Sequence, residues 1–470
     1  MKISFADNLK RKNGNQFYQY LCTATATLTL LTSAMHYGWP SPSLPKLLAN
    51  EHHFQISDEQ GSWIAVITLI GCPFGAILAC TLVNILGRKK VILLTGPNLI
   101  LAWILVAYGK RVEIMVFARF IAGISDGIIY TVIPMYIGEV ADPNIRGLLG
   151  SSCSVTMMFG ILLVNILGVY FDITTLAMIS VSIPLVFLIT FPWMPESPYY
   201  LVMKGKMEDA KANLRKLKGI EDVDADINRL TNAVKEKNKK EKARIWDLFL
   251  VRSNRKGILI IMCLRAVQQL SGISALTFYA NTIFKELEDT LSSNITTAIF
   301  FSIQCLISML SAFLLDKAGR KPLLITSAIG CALCLLLQAT YYYLNTKLDI
   351  SHLSLIPIIS LICYIIAYCI GLGTIPVLML SELFPTTIKA FALCFAELYF
   401  SLIATAVSKF FQITKDTFGI YVPFYVFGVC TIIGLIWVTF SIPETKGKTL
   451  EEIQELLQNS NKEKEDTIEA

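Results

Sequence analysis

Long apolar runs separated by short polar breaks dominate this chain, and the length of those runs restricts its fold more than any other feature. An α-helix rises about 1.5 Å per residue, so ~20 apolar residues span the ~30 Å of hydrocarbon in a bilayer. Runs near that length fall at residues 20–37, 63–86, 91–108, 114–136, 148–170 and 176–193. A second set falls at 258–278, 295–315, 323–343, 355–380, 391–411 and 423–440. Between the sets lies 204–256, the one long interval where lysine, glutamate and asparagine displace apolar residues. With 54% apolar or aromatic residues, 16% charged and a mean hydropathy of +0.57, the chain is outside the soluble globular range. The sequence predicts an all-α membrane protein of twelve transmembrane helices, two six-helix halves with a helical segment between them.

Both halves carry the same punctuation, as a duplicated unit would. Leu86-Gly87-Arg88-Lys89-Lys90 follows the second run of one half, and Asp316 through Lys321, reading Asp-Lys-Ala-Gly-Arg-Lys, follows the second run of the other. The sixth runs end in Pro195-Glu196-Ser197-Pro198 and Pro443-Glu444-Thr445-Lys446. The expected divisions are a tail at 1–17, a half at 18–203, a polar segment at 204–256, a half at 257–442 and a tail at 443–470. Within the polar segment, Met207, Ala210, Leu214 and Leu217, then Ile227, Leu230 and Val234, have the spacing of short amphipathic helices. A solvated linker around the lysine-rich 235–242 is the alternative.

An even number of spans puts both tails on one side, and the positive-inside rule makes that side cytosolic. Arg88, Lys89, Lys90, Arg146, the lysine-rich segment, Lys317, Arg320, Lys321 and Lys389 then all face inward. Residues 1–16 are polar and basic and the first apolar run lacks a small-residue cleavage site, so that run is expected to remain as an anchor. Asn294-Ile295-Thr296, the glycosylation sequon, falls in an outward loop close to the next run. The net charge of +6 reads as orientation and lipid contact, not as a nucleic-acid footprint. All twelve cysteines lie in the runs and are expected as free thiols, with Cys331 and Cys334 packing a helix and not holding zinc. No nucleotide-binding loop or catalytic triad motif is present, so neither a cofactor, a nucleotide nor enzyme chemistry is expected.

Polar residues inside the runs are the candidates for function. Arg119 and Asp126 lie seven residues apart, on one helix face about 10 Å apart along the axis. An intramembrane charge costs ~2.5–3.5 kcal/mol, so Arg119 is expected to line a path or lock one state, with Asp126 neutralising it. Gly123 and Gly127 beside them read as close helix packing. Residues 38–47 hold three prolines and are expected as an extended segment at the outer mouth, or as an ordinary loop. His36 before them is a pH sensor or an interfacial polar residue. Glu139 and Arg146 are placed to pair with the Gly-Arg-Lys turn, and Glu382 with Lys389 repeats that logic. Exposed pairs contribute only ~0–1 kcal/mol, which suits a gate between two nearly balanced conformations. Glu397 is either solvated at a mouth or paired with Lys409 or another helix. Gly371, Gly373 and Pro376 weaken the tenth run and make it a hinge. Gln268, Gln269, Ser271, Ser274, Thr277 and Tyr279 concentrate neutral hydrogen-bonding groups in the seventh run. They match the hydroxyls of a sugar, or else bond helix to helix.

The chain resembles the sugar porter family of the major facilitator superfamily over nearly its whole length. The resemblance rests on Gly87-Arg88-Lys89, Arg119, Glu139 with Arg146-Gly147, Pro195 through Pro198, Gln268-Gln269-Leu270-Ser271-Gly272, Asp316 through Lys321, Glu382-Leu383-Phe384-Pro385 and Pro443 through Gly447. The loop at 38–47 and the general run look most like insect facilitated trehalose transporters and intracellular-type glucose transporters. By that resemblance Gln268 and Gln269 hold the sugar, with Ser274 and Gln304 standing where asparagines are usual. Ser154, Val377 and Phe400 stand where the family offers a glutamine, a tryptophan and an asparagine, departures that weigh against D-glucose. Arg88, Arg119, Glu139, Arg146, Glu196, Asp316, Arg320, Lys321, Glu382, Lys389 and Glu444 are the implied gating charges, and the polar segment a bundle bracing the two halves. The implied activity is facilitated transport of trehalose or a hexose across the cell membrane or an intracellular one, by alternating access. The first run lacks the aspartate of proton-coupled carriers, while Asp126 and Glu397 keep proton symport open. A non-transporting sugar sensor and an organic-ion carrier are the readings from other classes.

Overall fold

The computed structural model describes residues 16–49, 54–239, 246–287, 292–348, 350, 353–384, 388–446 and 452–453, without the side chains of 236–239, 247, 312–317, 381, 389 and 390. The first half contains α1 (Phe17–Gly38), α2 (Pro40–Leu48), α3 (Asp58–Leu86), α4 (Arg88–Tyr108), α5 (Val112–Val140), α6 (Arg146–Tyr170) and α7 (Ile173–Thr190). Short helices follow: α8 (Pro198–Met203), α9 (Met207–Lys218), α10 (Asp224–Lys239) and α11 (Asp247–Leu250). The second half contains α12 (Arg252–Leu270), α13 (Ile273–Lys285), α14 (Ser293–Ala318), α15 (Arg320–Asn345), α16 (Leu355–Ile370), α17 (Ile375–Leu383), α18 (Lys389–Phe418) and α19 (Tyr421–Ser441). Pairing α1 with α2, α12 with α13 and α16 with α17 as broken spans gives six spans per half.

Ten stretches among the described residues are long and apolar enough to cross a membrane on composition alone. The remaining two, α1 and α5, carry polar residues for identifiable reasons. In α1 the hydroxyls of Thr23, Thr25, Thr27, Thr29 and Thr32 all donate to carbonyls of their own helix at 2.8–3.0 Å. A threonine satisfied this way needs no partner in lipid. Helix α5 bears Arg119 and Asp126, both buried inside the half.

Glycines bring α3 and α5 together. A Cβ on Gly75 would lie 1.9 Å from the Ile124 carbonyl oxygen, and one on Gly127 at 1.9 Å from that of Cys72. Only a residue without a side chain permits that approach, as the sequence indicated for Gly123 and Gly127.

Residues 38–47 are not extended. Trp39 keeps helical angles, and the chain continues at once into α2. Pro40 and Pro42 fall in the first turn of α2, where a missing N–H breaks no intrahelical bond, so only Pro45 removes one. Asn294 also differs from expectation: it sits in the first turn of α14, half-buried, and accepts a bond from Asn281 at 2.8 Å.

We call the end carrying α8–α11 the tail face and the opposite end the far face. At the far face the halves share one apolar core, in which Ala34, Leu44, Ala65, Val66, Leu69 and Ile161 join the second half's residues.

Candidate functional site

The seventh span breaks after Gln268-Gln269-Leu270-Ser271. Gly272 there has φ +87°, and a Cβ on it would lie 2.4 Å from the Phe427 ring, so both backbone angle and space require glycine. The break turns the two glutamines into the protein, where they are 3% and 1% exposed and neither faces lipid. Gln269 Oε1 accepts from Ser274 Oγ at 2.6 Å, and that hydroxyl lies 3.3 Å from the Tyr37 hydroxyl of the first half. Gln268 Nε2 donates to the carbonyls of Leu372 at 2.8 Å and Gly373 at 3.2 Å, within the break of the tenth span. Gly371 is packed so that a Cβ would lie 2.4 Å from the Leu323 carbonyl oxygen, while Pro376 takes the first turn of α17. Gly371, Gly373 and Pro376, expected as a hinge, lie at the interruption between α16 and α17. Tyr279, at a non-helical kink in α13, stacks on Phe411. Its hydroxyl and Gln304 Oε1 are buried without partners among the described residues.

Gln268 has a further partner that the sequence reading missed. Arg265 Nη1 donates to Gln268 Oε1 at 3.0 Å, and its Nη2 donates to Glu397 Oε1 at 2.5 Å. The guanidinium lies 5.0 Å from the Phe400 ring, a position matched by resemblance to a sugar-binding asparagine. An arginine inside the run 258–278 is the same signal that singled out Arg119, and it was there to be read. Glu397 pairs with this arginine and not with Lys409, which donates to Ser62 Oγ at 2.6 Å and lies 4.2 Å from the Trp63 ring. Of the other departing positions, Ser154 and Val377 are exposed.

Arg119 forms no ion pair among the described residues. It is fully buried and donates to the carbonyls of His36 and, at 3.3 Å, Ile64, with Trp39 5.2 Å away. Asp126 instead accepts from Ser33 Oγ at 2.5 Å, a hydroxyl also 3.3 Å from that of Tyr130. Sharing a face seven residues apart leaves arginine and aspartate too distant to touch. His36 is fully buried and stacked on Trp103 at 3.8 Å, so it is not an interfacial group.

At the tail face the duplicated motifs build duplicated clusters. Arg88 grips Glu139 through two bonds of 2.8 Å, Ser197 donates to Glu139, and Glu196 accepts from the Lys89 N–H at 3.1 Å. Arg320 grips Glu382 at 2.9 Å and 3.2 Å, Thr445 donates to Glu382 at 2.5 Å, and Glu444 accepts from the Arg320 and Lys321 N–H groups at 3.1 and 3.0 Å. Gly87 and Gly319, with φ of +97° and +86°, open the turn beneath each glutamate. Burial raises the Glu196 carboxyl above its ordinary value, and the backbone donors Lys89 and Ser197 only offset it. Burial also raises Glu444, but the N–H groups of Lys446, Arg320, Lys321 and Thr445 outweigh it and hold the carboxyl below the ordinary value.

These clusters correct the gating expectation. Every pair just named lies within one half. Arg146 donates to the Ala141 carbonyl at 3.2 Å and has no ion pair among the described residues. The side chains of Asp316 and Lys389 lie outside the described residues. The polar segment is folded, with Ala210, Leu214, Leu217, Ile227 and Val234 buried. Its end packs on the second half, with the Phe249 ring 5.4 Å from that of Phe395, while its other ties reach the first. Lys218 pairs with Asp142 at 3.2 Å, Gln19 donates to the Leu217 carbonyl at 3.2 Å, and Asn213 to that of Glu196 at 2.9 Å, all in the first half.

The family model for "Sugar (and other) transporter" matches residues 16–457. The chain belongs to the sugar transporter family. Among its relatives, the facilitated trehalose transporter Tret1 of Culex quinquefasciatus is 31% identical over 93% of this chain and 85% of its own length. Tret1 of Drosophila grimshawi is 33% identical over 93% of this chain but only 47% of its own length, and the chain spans about half of several other such relatives. Among solved structures, the inward-open xylose transporter XylE of E. coli superposes with a TM-score of 0.78 at 25% identity, over 93% of this chain and 99% of that one. The proton:xylose symporter XylE bound to 6-bromo-6-deoxy-D-glucose gives 0.74 at 25% identity, over 94% of this chain and 100% of that one. This family member is therefore a multi-pass membrane protein with the major facilitator fold, and its paired six-span halves are that fold's two bundles.

Proposed function

We propose that this family member carries a neutral sugar, trehalose or a hexose, by facilitated diffusion through alternating access. The observation that carries the reading is the group Gln269, Ser274 and Tyr37, where neutral amide and hydroxyl groups of both halves meet at the break of the seventh span. A sugar's hydroxyls donate and accept as these groups do, so a substrate can take over the contacts between the halves without stripping water from a charge. The relatives named facilitated trehalose transporters favour trehalose as the first substrate to try. The halves are 18–203 and 257–442, rocking about the site while the tail-face clusters keep each intact. Their contacts at the far face, through Tyr37 and Lys409, correspond to a carrier closed outside and open to a cytosol that holds both tails. No nucleotide or other cofactor enters the cycle.

Proton-coupled uptake is the second reading. It is favoured by Asp126, a buried carboxylate whose hydroxyl partner Ser33 lies on the first span. Counterflow of labelled trehalose and glucose in proteoliposomes, with and without a protonophore, separates the readings. Saturable counterflow indifferent to the protonophore is expected; uptake abolished by it assigns symport, and no sugar flux removes the proposal.

A further inference from the structure

The seventh and eleventh spans are joined inside the membrane by one ion pair, Arg265 with Glu397, 2.5 Å apart. Its two members are placed very differently. Arg265 has a side chain 4% exposed, enclosed by Glu397, Gln268 and Phe400. Glu397 is 31% exposed, and Oε1 is its oxygen toward the guanidinium. The pair is therefore closed on the arginine side and open on the carboxylate side.

The direction of that open side follows from the neighbours. Arg265 touches both Glu397 and Phe400, one turn apart on α18, so this face of α18 looks toward α12 and the glutamine pair. Helix α18 also meets α3 of the other half, where Lys409 donates to Ser62 Oγ at 2.6 Å. Helix α18, which carries the carboxylate, therefore touches both α12 and α3 at the boundary of the halves. The carboxylate lies beside Gln268, whose amide is already engaged: its oxygen accepts from Arg265 and its nitrogen donates to Leu372 and Gly373. Gln268 is thus occupied within the protein, and the acceptor left open beside it is the carboxylate.

A buried ion pair is a poor way to stabilise a fold, because desolvating two charges costs about what their attraction returns. A carboxylate held by one oxygen is, by contrast, a strong acceptor for two adjacent hydroxyls, since charge-assisted hydrogen bonds are roughly twice as strong as neutral ones. We propose that Glu397 is a charged contact to the transported sugar, accepting hydrogen bonds from a pair of neighbouring hydroxyls, and that Arg265 is the positioning residue that aims it. This rests on the proposed transport of sugar. It assigns the site a substrate class, polyols with a vicinal diol, and it transfers part of the role expected of Gln268 to a residue on another helix.

The test is equilibrium binding to the purified full chain in lipid nanodiscs, with trehalose, D-glucose and their monodeoxy analogues as probes. A hydrogen bond to a charged group corresponds to roughly a 10- to 100-fold change in affinity, so Glu397→Gln should weaken the parent sugar by that factor. A monodeoxy analogue lacking the contacted hydroxyl should bind wild type as weakly as the parent sugar binds the variant, and should lose nothing more in the variant. Glu397→Asp, which keeps the charge, should recover part of the affinity. Where Glu397→Gln does not assemble, the double variant Arg265→Gln with Glu397→Gln leaves no unpaired buried charge and gives the same readout. Wild-type affinity and an unchanged deoxy-sugar profile in either variant overturn the proposal alone. Failure of wild type to bind any probe overturns it together with the sugar reading.

Discussion

Each half of the molecule buries an arginine in the interior of a span, Arg119 and Arg265, and these two are neutralised in opposite ways. Arg119 in the first half is bound by backbone carbonyls of α1 and α3, with a tryptophan ring beside it. Arg265 in the second half is bound by side chains, a carboxylate and an amide. Backbone carbonyls cannot change rotamer or charge, so Arg119 works as a rivet through three helices. The partners of Arg265 can do both, and that arginine sits beside the hinge of the tenth span. One half thus uses its buried cation to stay fixed and the other uses it to aim a functional group.

The largest effect that sharpens this contrast is expected from Arg119→Leu. It strands the His36 carbonyl, whose helical donor position is Pro40 and lacks an N–H, in a dry interior at ~1–3 kcal/mol, so folded protein should be lost from detergent extracts on size-exclusion chromatography. Good recovery of that variant would end the rivet reading. Next, Arg265→Gln leaves Glu397 as an unpaired charge, whereas the double neutral variant with Glu397→Gln does not. The double variant should melt higher than Arg265→Gln by an amount corresponding to about 3 kcal/mol. Equal melting would mean that the carboxylate has another partner.

A smaller effect is expected from Tyr37→Phe, which removes a hydroxyl contact between the halves at ~0.5–1.5 kcal/mol. The far face should open more often, read as faster labelling of a cysteine introduced there. The smallest effect concerns the two tail-face glutamates. Glu444 lies below its ordinary value of 4.5 when folded, so its contribution is present above that value and is lost as pH falls through the folded value. Glu196 lies above 4.5 when folded, so its contribution is present below that value and is lost as pH rises through the folded one. Melting curves of Glu444→Gln and Glu196→Gln against pH should therefore diverge from wild type in opposite directions.

Much of the fold was legible because it depends on local quantities. Run lengths are set by bilayer thickness, and the Gly87 and Gly319 turns pair with Glu196 and Glu444 because a positive φ exposes N–H groups to a carboxylate. The misreadings came where position within an element mattered. Three prolines at 38–47 suggest a broken helix until two of them prove to occupy a first turn. Arg119 and Asp126 share a face and still bind other groups. The candidate site was half legible: the glutamines were marked by composition, but the pairing of Arg265 with Glu397 spans 132 positions, and no local pattern encodes such a contact. Of the residues expected as gating charges, Arg88 with Glu139 and Arg320 with Glu382 pair within one half, and sequence does not say whether two motifs meet within a half or across it.

The threonines of α1 have a mechanical consequence. Because Thr23, Thr25, Thr27, Thr29 and Thr32 turn their hydroxyls onto their own backbone, the helix offers its neighbours methyl groups along that length. A rod lubricated in this way can slide or tilt against adjacent helices without exchanging bonds with them. The sideways ties of α1 then gather toward its ends, Gln19 near the tail face and Ser33, His36 and Tyr37 toward the far face.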